Sequence, residues 1–141
     1  MGEVNPAEIE SFVAAYLILV ALLLGSFINL ASDRIPRGES VIRPRSHCRA
    51  CSRQLNVIDL LPVAGYLLRG GRCATCRTSI GVSAPIVEAA TGGCMATGIL
   101  WLGLWPGAGL GLILVAMLGL LVISRAMRRR RASAPAQRLP G

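Results

Sequence analysis

Apolar residues along this chain fall in long uninterrupted blocks, with charged residues gathered between and after them. The first block covers residues 12–31, about the 20 residues that a helix needs to span a bilayer. A second spanning helix is predicted over residues 85–105, because its proline suits a first helical turn and its two tryptophans suit a membrane interface. A third block covers residues 110–123 and can extend through Gly107, with a tight turn predicted at residues 106–111. The pattern predicts a mainly α, polytopic membrane protein with three transmembrane helices.

Residues 32–83 form the polar part of this pattern. They hold nine arginines against three acidic residues, a net charge of +6. Their glycine, proline and cysteine content is typical of a small loop-rich unit, with short strands expected, and they have too few apolar residues for an independent core. The apolar stretch 56–68 is expected to pack on this unit or on the membrane face. The predicted organisation is therefore a flank and first helix (1–31), a loop domain (32–83), two helices (84–125) and a basic disordered tail (126–141).

A cleaved signal peptide is the alternative interpretation of the first apolar block. Such peptides begin with basic residues and have a shorter apolar core. This chain begins with the acidic residues Glu3, Glu8 and Glu10, and its apolar run continues for too long. A retained helix is therefore expected.

Two cysteine pairs occur in the loop domain. Cys48 and Cys51 form one Cys-x-x-Cys hook and Cys73 and Cys76 form the second, with 21 residues between the hooks. Repeated hooks of this kind are typical of a structural zinc site with four thiolate ligands, although the spacing is at the long edge of the usual pattern. Two disulfides are the alternative. A closed shell of four cysteines leaves no position for water, so the predicted role of the metal is structural and not hydrolytic.

The distribution of charge predicts the orientation of the chain. Cytoplasmic loops of membrane proteins are rich in basic residues. The +6 loop and the arginine cluster 128–131 are therefore expected in the cytosol, with the acidic N-terminus outside. Thiols stay reduced in the cytosol, which favours zinc over disulfides.

Several other residues are candidates for a role at or near the metal. Two of these have simpler explanations: His47 as a neighbour of the site and not a ligand, and Cys94 as a small apolar side chain within the second helix. Glu88 lies about one turn inside that helix, where a carboxylate either caps structure or serves a site. Arginines near the hooks could offset the charge of four thiolates on Zn²⁺: Arg45, Arg49, Arg53, Arg72 and Arg77.

Nothing in the sequence brings Asp33 and Asp59 together, and both occur in ordinary turn contexts. Close helix packing is expected at Gly25 and Ser26 of the first helix and at Gly92, Gly93 and Ala96 of the second, and Asn29 is expected to hydrogen-bond between helices. Nucleic acid is not an expected partner, because the arginines flank apolar blocks and the chain has only two Phe and two Tyr.

The chain resembles the N-terminal part of bacterial prepilin peptidases. The resemblance is carried by residues 25–29 (GSFIN), 33–40 (DRIPRGES), 43–48 (RPRSHC) and 68–73 (LRGGRC), together with Asp59, Pro62, Ser79-Ile80, Pro85 and Val87-Glu88. It covers roughly residues 22–92. Departures occur after each hook, where the family often has Gly and this chain has Ser52 and Arg77, and before Pro85, where Ala84 replaces an arginine.

The resemblance implies a polytopic enzyme of the bacterial inner membrane. Members cut the basic leader from type IV prepilins and pseudopilins, then methylate the new N-terminus with S-adenosylmethionine. Proteolysis uses two aspartates, the second in a Gly-x-Gly-Asp motif, and the zinc loop has been linked to methylation. These 141 residues contain no Gly-x-Gly-Asp, and Ser124 stands where the first aspartate is expected.

Two hypotheses follow for the function. The first is a prepilin-peptidase-like module without its own catalytic aspartates, which works beside a separate aspartic-protease half or retains only methylation or substrate docking. The second is a membrane-anchored zinc scaffold or inactive remnant with no substrate. Whether the chain is an enzyme is left open at this point.

Overall fold

Three long helices form the framework of the protein. The structure is a computed structural model that describes residues 5–133, and its α-helices are α1 (Pro6–Arg34), α2 (Ala64–Leu68), α3 (Ser83–Leu102) and α4 (Leu104–Ser133). Within those residues no strand forms, so the short strands expected in the loop are wrong; two isolated bridges pair His47 with Gln54 and Arg72 with Ser79. Helices α1, α3 and α4 are each long and apolar enough to cross a membrane. The mainly helical, three-span prediction is confirmed.

Helix α1 begins before the apolar block because its first turn is capped. The side chain of Asn5 accepts a hydrogen bond from the backbone N–H of Ala7, and Pro6 occupies the first helical position. Glu8 lies in the first turn, where the helix dipole favours a negative charge. The acidic flank is therefore part of the helix from residue 6, while residues 1–4 lie outside the described part of the chain.

The turn between α3 and α4 lies earlier than the sequence predicts. It consists of Gly103 alone, at a φ of 80°, and not of residues 106–111. Pro106 fits inside α4 because the first N–H groups of a helix have no intrahelical acceptor, so the missing donor costs little. Two of the glycines that were expected to break the helix, Gly107 and Gly111, instead pack against α3.

Helix α4 also continues further than predicted. Residues 126–133 are helical, where a disordered tail was expected to begin at residue 126. This stretch contains mostly arginine, alanine and methionine, which favour helix once the preceding turns are formed. The rest of the predicted tail, residues 134–141, lies outside the described residues.

The three long helices pack on one another through small residues. A Cβ atom built on Gly25 would lie 2.8 Å from the Cα of Glu88, and one on Gly107 would lie 2.3 Å from the carbonyl oxygen of Gly98. A Cβ built on Gly92 would likewise clash with the Leu22 side chain, whereas one built on Gly93 would meet open space. The prediction of close packing is thus confirmed at Gly25 and Gly92 and wrong at Gly93.

A narrow core lies between these helices, and most large apolar side chains face outward. The buried apolar residues of the core are Ala21, Met95, Ala108 and Val115. Side chains such as Phe12, Leu100 and Trp101 are more than three-quarters exposed. This distribution suits lipid as the surrounding solvent, because only helix contacts need to be buried in protein.

Candidate metal centre

The two cysteine hooks adopt the same backbone conformation. In the first, the N–H of Cys48 donates to the carbonyl of Arg53 (2.8 Å) and the N–H of Ser52 donates to the carbonyl of Cys48 (2.8 Å). In the second, the N–H of Cys73 donates to Thr78 O (2.9 Å), and an N–H four residues after Cys73 donates back to its carbonyl (3.1 Å). Each hook is therefore a tight turn closed at both ends, and both sulfurs of a hook project from it together.

The residue after each hook lies in the left-handed region of the backbone. Ser52 and Arg77 both have a φ of 58°. A side chain there costs about 1–2 kcal/mol, which glycine avoids. This conformation gives the physical reason for the glycine that the family resemblance leads one to expect at these two positions.

The fold brings the four sulfurs into one cluster. The Sγ atoms of Cys48 and Cys76 are 3.7 Å apart, those of Cys51 and Cys73 are 3.9 Å apart, and all four lie within 4.8 Å of one another. A tetrahedral zinc with Zn–S bonds of about 2.3 Å requires sulfur separations of roughly 3.8 Å. All five cysteines of the chain are free thiols, and the separations far exceed a disulfide bond. The donor set therefore fits one metal ion.

The ionisation of the cluster is uneven. The backbone N–H groups of Cys76 and Thr75 hold the pKa of Cys73 down to about 6. At Cys51 a backbone N–H of Arg53 acts in the same direction, but desolvation and the neighbouring thiols raise the pKa to about 11. Four adjacent thiols cannot all ionise without a cation, so metal binding must release protons.

A buried carboxylate, Asp59, connects the hooks to the rest of the loop. It pairs with Arg53 at 2.5 Å and with Arg69 at 2.7 Å, and its side chain is 7% exposed. Burial acts to raise its pKa, but the N–H of Asn56 and the two guanidinium groups outweigh burial and lower it. Asp59 and then the Cys73 thiol raise the pKa of Arg53.

Other predicted residues lie outside the sulfur cluster. His47 is exposed, and its Nδ1 lies 2.9 Å from the carbonyl of Arg45. Cys94 is half-buried within α3. Of the arginines proposed to offset the thiolates, Arg53 pairs with Asp59 and Arg49 pairs with Asp33.

Asp33 belongs to a second ion network, at the end of α1. Its two oxygens accept from Arg37 at 2.8 and 2.7 Å, and Arg49 also pairs with it. The neighbouring Arg34 is buried and donates to the carbonyls of Ser40 and Pro44, both at 2.9 Å. Asp33 and Asp59 are thus each occupied by arginines, in separate networks.

Glu88 joins the loop to the helices. It is 6% exposed, and its Oε2 accepts a hydrogen bond from the backbone N–H of Val63 at 2.7 Å. Sequence reasoning missed this partner, because Val63 lies 25 residues away in a stretch without any charged signal. Sequence reasoning also missed the ion pairs of Asp59 with Arg53 and Arg69. The signal that could have indicated them is a carboxylate in a segment rich in arginine and cysteine.

The sequence of this chain matches a known protein family and several known proteins. The family model of the bacterial peptidase A24 N-terminal domain matches residues 19–102. A prepilin leader peptidase/N-methyltransferase of Myxococcus xanthus is 34% identical over 87 residues, covering 62% of this chain and 26% of that protein. Its namesake in Bacillus subtilis is 39% identical over 75 residues, covering 53% and 30%. No solved structure matches the chain.

A longer alignment comes from a prepilin leader peptidase/N-methyltransferase of Klebsiella pneumoniae. It is 32% identical over 137 residues, covering 83% of this chain and 57% of that protein. Across these three relatives, the chain spans between about a quarter and just over half of the relative's own length. The resemblance drawn from the sequence motifs is confirmed.

Proposed function

This chain belongs to the bacterial peptidase A24 N-terminal domain family, and we propose that it is a membrane module for processing type IV prepilins or pseudopilins. The family match supports the proposal because residues 19–102 include both cysteine hooks, most of α1 and all of α3. The observation that carries it is the four-sulfur cluster, in a loop that joins two helices long and apolar enough to span a membrane.

The ion proposed for this cluster is Zn²⁺, with Cys48, Cys51, Cys73 and Cys76 as its ligands. Zinc accepts four thiolates in a tetrahedral arrangement, which the sulfur separations suit. When bound, it supplies structural crosslinking and no catalysis. The loop has few apolar residues, so metal binding would contribute a large part of its folding free energy.

The proposed location is the bacterial inner membrane, with the N-terminus outside and the loop and C-terminus in the cytosol. The arginines of the loop and of residues 125–131 support this orientation through the preference of basic segments for the cytoplasm. Helix α4 also contacts residues 35–37, next to the loop, which is consistent with both basic regions lying at one end of the bundle.

We propose further that these residues do not cleave prepilin by themselves. The Gly-x-Gly-Asp motif is missing from the 141 residues, and Ser124 cannot share a proton as a carboxylate does. Asp33 and Asp59 are both engaged by arginines. A protease half with the two aspartates would act as partner, with S-adenosylmethionine as the methyl donor if methylation occurs.

The test is expression in a strain that lacks prepilin peptidase. Expressed alone, the chain should leave prepilin uncut; co-expressed with a candidate aspartic-protease half, it should restore leader removal and methylation. A protease half expressed without this chain is the matched control. Mature pilin in the strain that carries this chain alone would contradict the proposal.

The alternative is a membrane-anchored zinc scaffold or inactive remnant, favoured by the engagement of both loop aspartates in ion pairs. It predicts that co-expression changes neither leader removal nor methylation, while the metal content of the purified chain is normal.

A further inference from the structure

An apolar patch lies on the loop between residues 57 and 68. Its six residues are each between 44% and 78% exposed: Val57, Ile58, Leu60, Leu61, Leu67 and Leu68. The two parts of this segment, the turn Ile58–Leu60 and α2, pack together, because a Cβ built on Gly65 would meet the carbonyl oxygens of Ile58 and Asp59 at 2.6 and 2.9 Å. Exposed apolar patches mark surfaces that contact membranes or other proteins.

The segment around the patch has a single charged residue, and the fold hides it. Asp59 is the only charged residue between positions 54 and 68, and its side chain is 7% exposed. Its Oδ1 accepts from Arg69 at 2.7 Å and its Oδ2 accepts from Arg53 at 2.5 Å. A segment whose carboxylate is already buried and paired can enter an apolar environment without leaving that charge unpaired.

The segment is tied to α3 close to the membrane boundary. The N–H of Val63, the residue before α2, donates to Glu88 Oε2 across 2.7 Å. Glu88 lies five residues into α3, which places it about 8 Å from the start of the helix. Its Cα would lie 2.8 Å from a Cβ on Gly25, six residues before the end of the apolar block 12–31. Val63 is thus anchored to a residue whose depth matches the 5–10 Å or so that interfacial segments penetrate.

The long helices leave the patch uncovered. Helix α2 packs chiefly on the turn Ile58–Leu60, and the two leucines at its end are 69% and 70% exposed. Phe27 and Ile86, each two residues from the Gly25–Glu88 contact, are also more than half exposed. They belong to helices that are long and apolar enough to cross a membrane. The patch therefore begins at the level of side chains that lipid is expected to cover.

We propose that residues 57–68 form a membrane-interface segment, whose apolar patch inserts at the boundary between headgroups and acyl chains of the leaflet where α1 ends and α3 begins. Lipid then supplies the apolar contacts that the protein itself does not supply to these six side chains. The loop is held against the membrane at two points, the Glu88 hydrogen bond and the patch. This role depends on the spanning helices and not on the zinc site or on prepilin processing.

Quenching of tryptophan fluorescence by brominated lipid tests the contact directly. The full chain is reconstituted in phosphatidylcholine nanodiscs, and Trp101→Phe and Trp105→Phe remove the native emission at two positions that are more than three-quarters exposed. Leu67→Trp then places one tryptophan in the patch. Its emission should lie at a shorter wavelength than that of tryptophan in water, and it should lose most of its intensity when the acyl chains carry bromine.

Ile42→Trp is the matched control, because Ile42 is an apolar residue of the same loop and is 80% exposed. Its neighbours Ser40 and Pro44 accept hydrogen bonds from the Arg34 guanidinium, at the polar end of α1. A tryptophan at position 42 should emit as in water and lose little intensity to brominated lipid.

Leu68→Trp repeats the measurement one position further along, so that the test stands even if Leu67→Trp does not fold. Emission that matches tryptophan in water and is not quenched would overturn the proposal. So would emission at short wavelength without quenching, which would show that the loop itself or a second copy of the chain covers the patch. Equal quenching in Ile42→Trp would show that the whole loop lies on the bilayer, and would overturn the assignment to residues 57–68.

Discussion

The backbone N–H of Val63 donates a hydrogen bond to Glu88 Oε2 across 2.7 Å, linking the loop to a membrane helix. Val63 has a φ of 57°, a rare conformation for a β-branched residue, and it immediately precedes α2. Glu88 is buried one turn inside α3, beside the close approach of α1 at Gly25. The loop is therefore attached to the bundle at a residue midway between the two hooks in sequence.

Replacing Glu88 with alanine should loosen this attachment. The N–H of Val63 would lose a charged acceptor, at a cost of about 1.5–3 kcal/mol. We expect faster proteolysis of the loop in the metal-loaded protein, with little change in membrane insertion. Limited proteolysis in detergent, followed by mass spectrometry, measures the effect.

Glu88→Gln is the matched control, because its amide oxygen still accepts a hydrogen bond. It should keep most of the protection of the wild type. If Gln and Ala variants are digested equally fast, the negative charge and not the hydrogen bond holds the loop.

Glycine substitutions after the hooks should stabilise the loop. Ser52→Gly and Arg77→Gly would remove the strain of a side chain at a φ of 58°. The gain is about 1 kcal/mol each, reduced by the extra freedom of glycine in the unfolded chain. Thermal unfolding of the loop, followed by thiol reactivity, should shift upward in each variant and further in the double variant. Ser52→Ala is the control, since it keeps the strain; an equal gain there would contradict the explanation.

Removing one thiol should release the metal and unfold the loop without expelling the helices. Purified wild-type protein should carry about one zinc per chain, and Cys48→Ser or Cys76→Ser should carry much less. Because metal binding competes with protonation of the thiols, affinity should also fall as the pH is lowered. Elemental analysis and proteolysis report the two effects. A loop that stays resistant to protease in the metal-free variants would argue against a structural metal.

The α3–α4 contact depends on a glycine that no larger residue can replace. Gly107→Ala would place a Cβ 2.3 Å from Gly98 O, whereas Gly109 has nothing within 4 Å. Both substitutions improve helix propensity by a similar amount, so their difference isolates the contact. Overpacking should cost Gly107→Ala about 1–3 kcal/mol relative to Gly109→Ala. Denaturation in mixed micelles measures this, and equal stability of the two variants would show that the helices separate easily.

The sequence by itself determined the number of candidate spanning helices and the type of ligand atom in the candidate metal centre. Hydropathy over some 20 residues is a sum of local contributions, and a Cys-x-x-Cys hook places two sulfurs on one turn wherever it occurs. Neither depends on distant contacts, so both were readable before the fold was known. The positions of the helix ends were less readable, because Pro106 and the glycines after it are tolerated within α4 for reasons of packing.

Only the tertiary structure decided which side chains serve which role. In the sequence Asp59 has an ordinary turn context and Glu88 is a candidate without a partner. The fold buries both and gives Asp59 two arginines and Glu88 the N–H of Val63. The same is true of the two hooks, whose sulfurs meet only after the intervening residues fold back on themselves. Contacts between residues far apart in sequence depend on how the whole chain packs, and no local pattern contains that information.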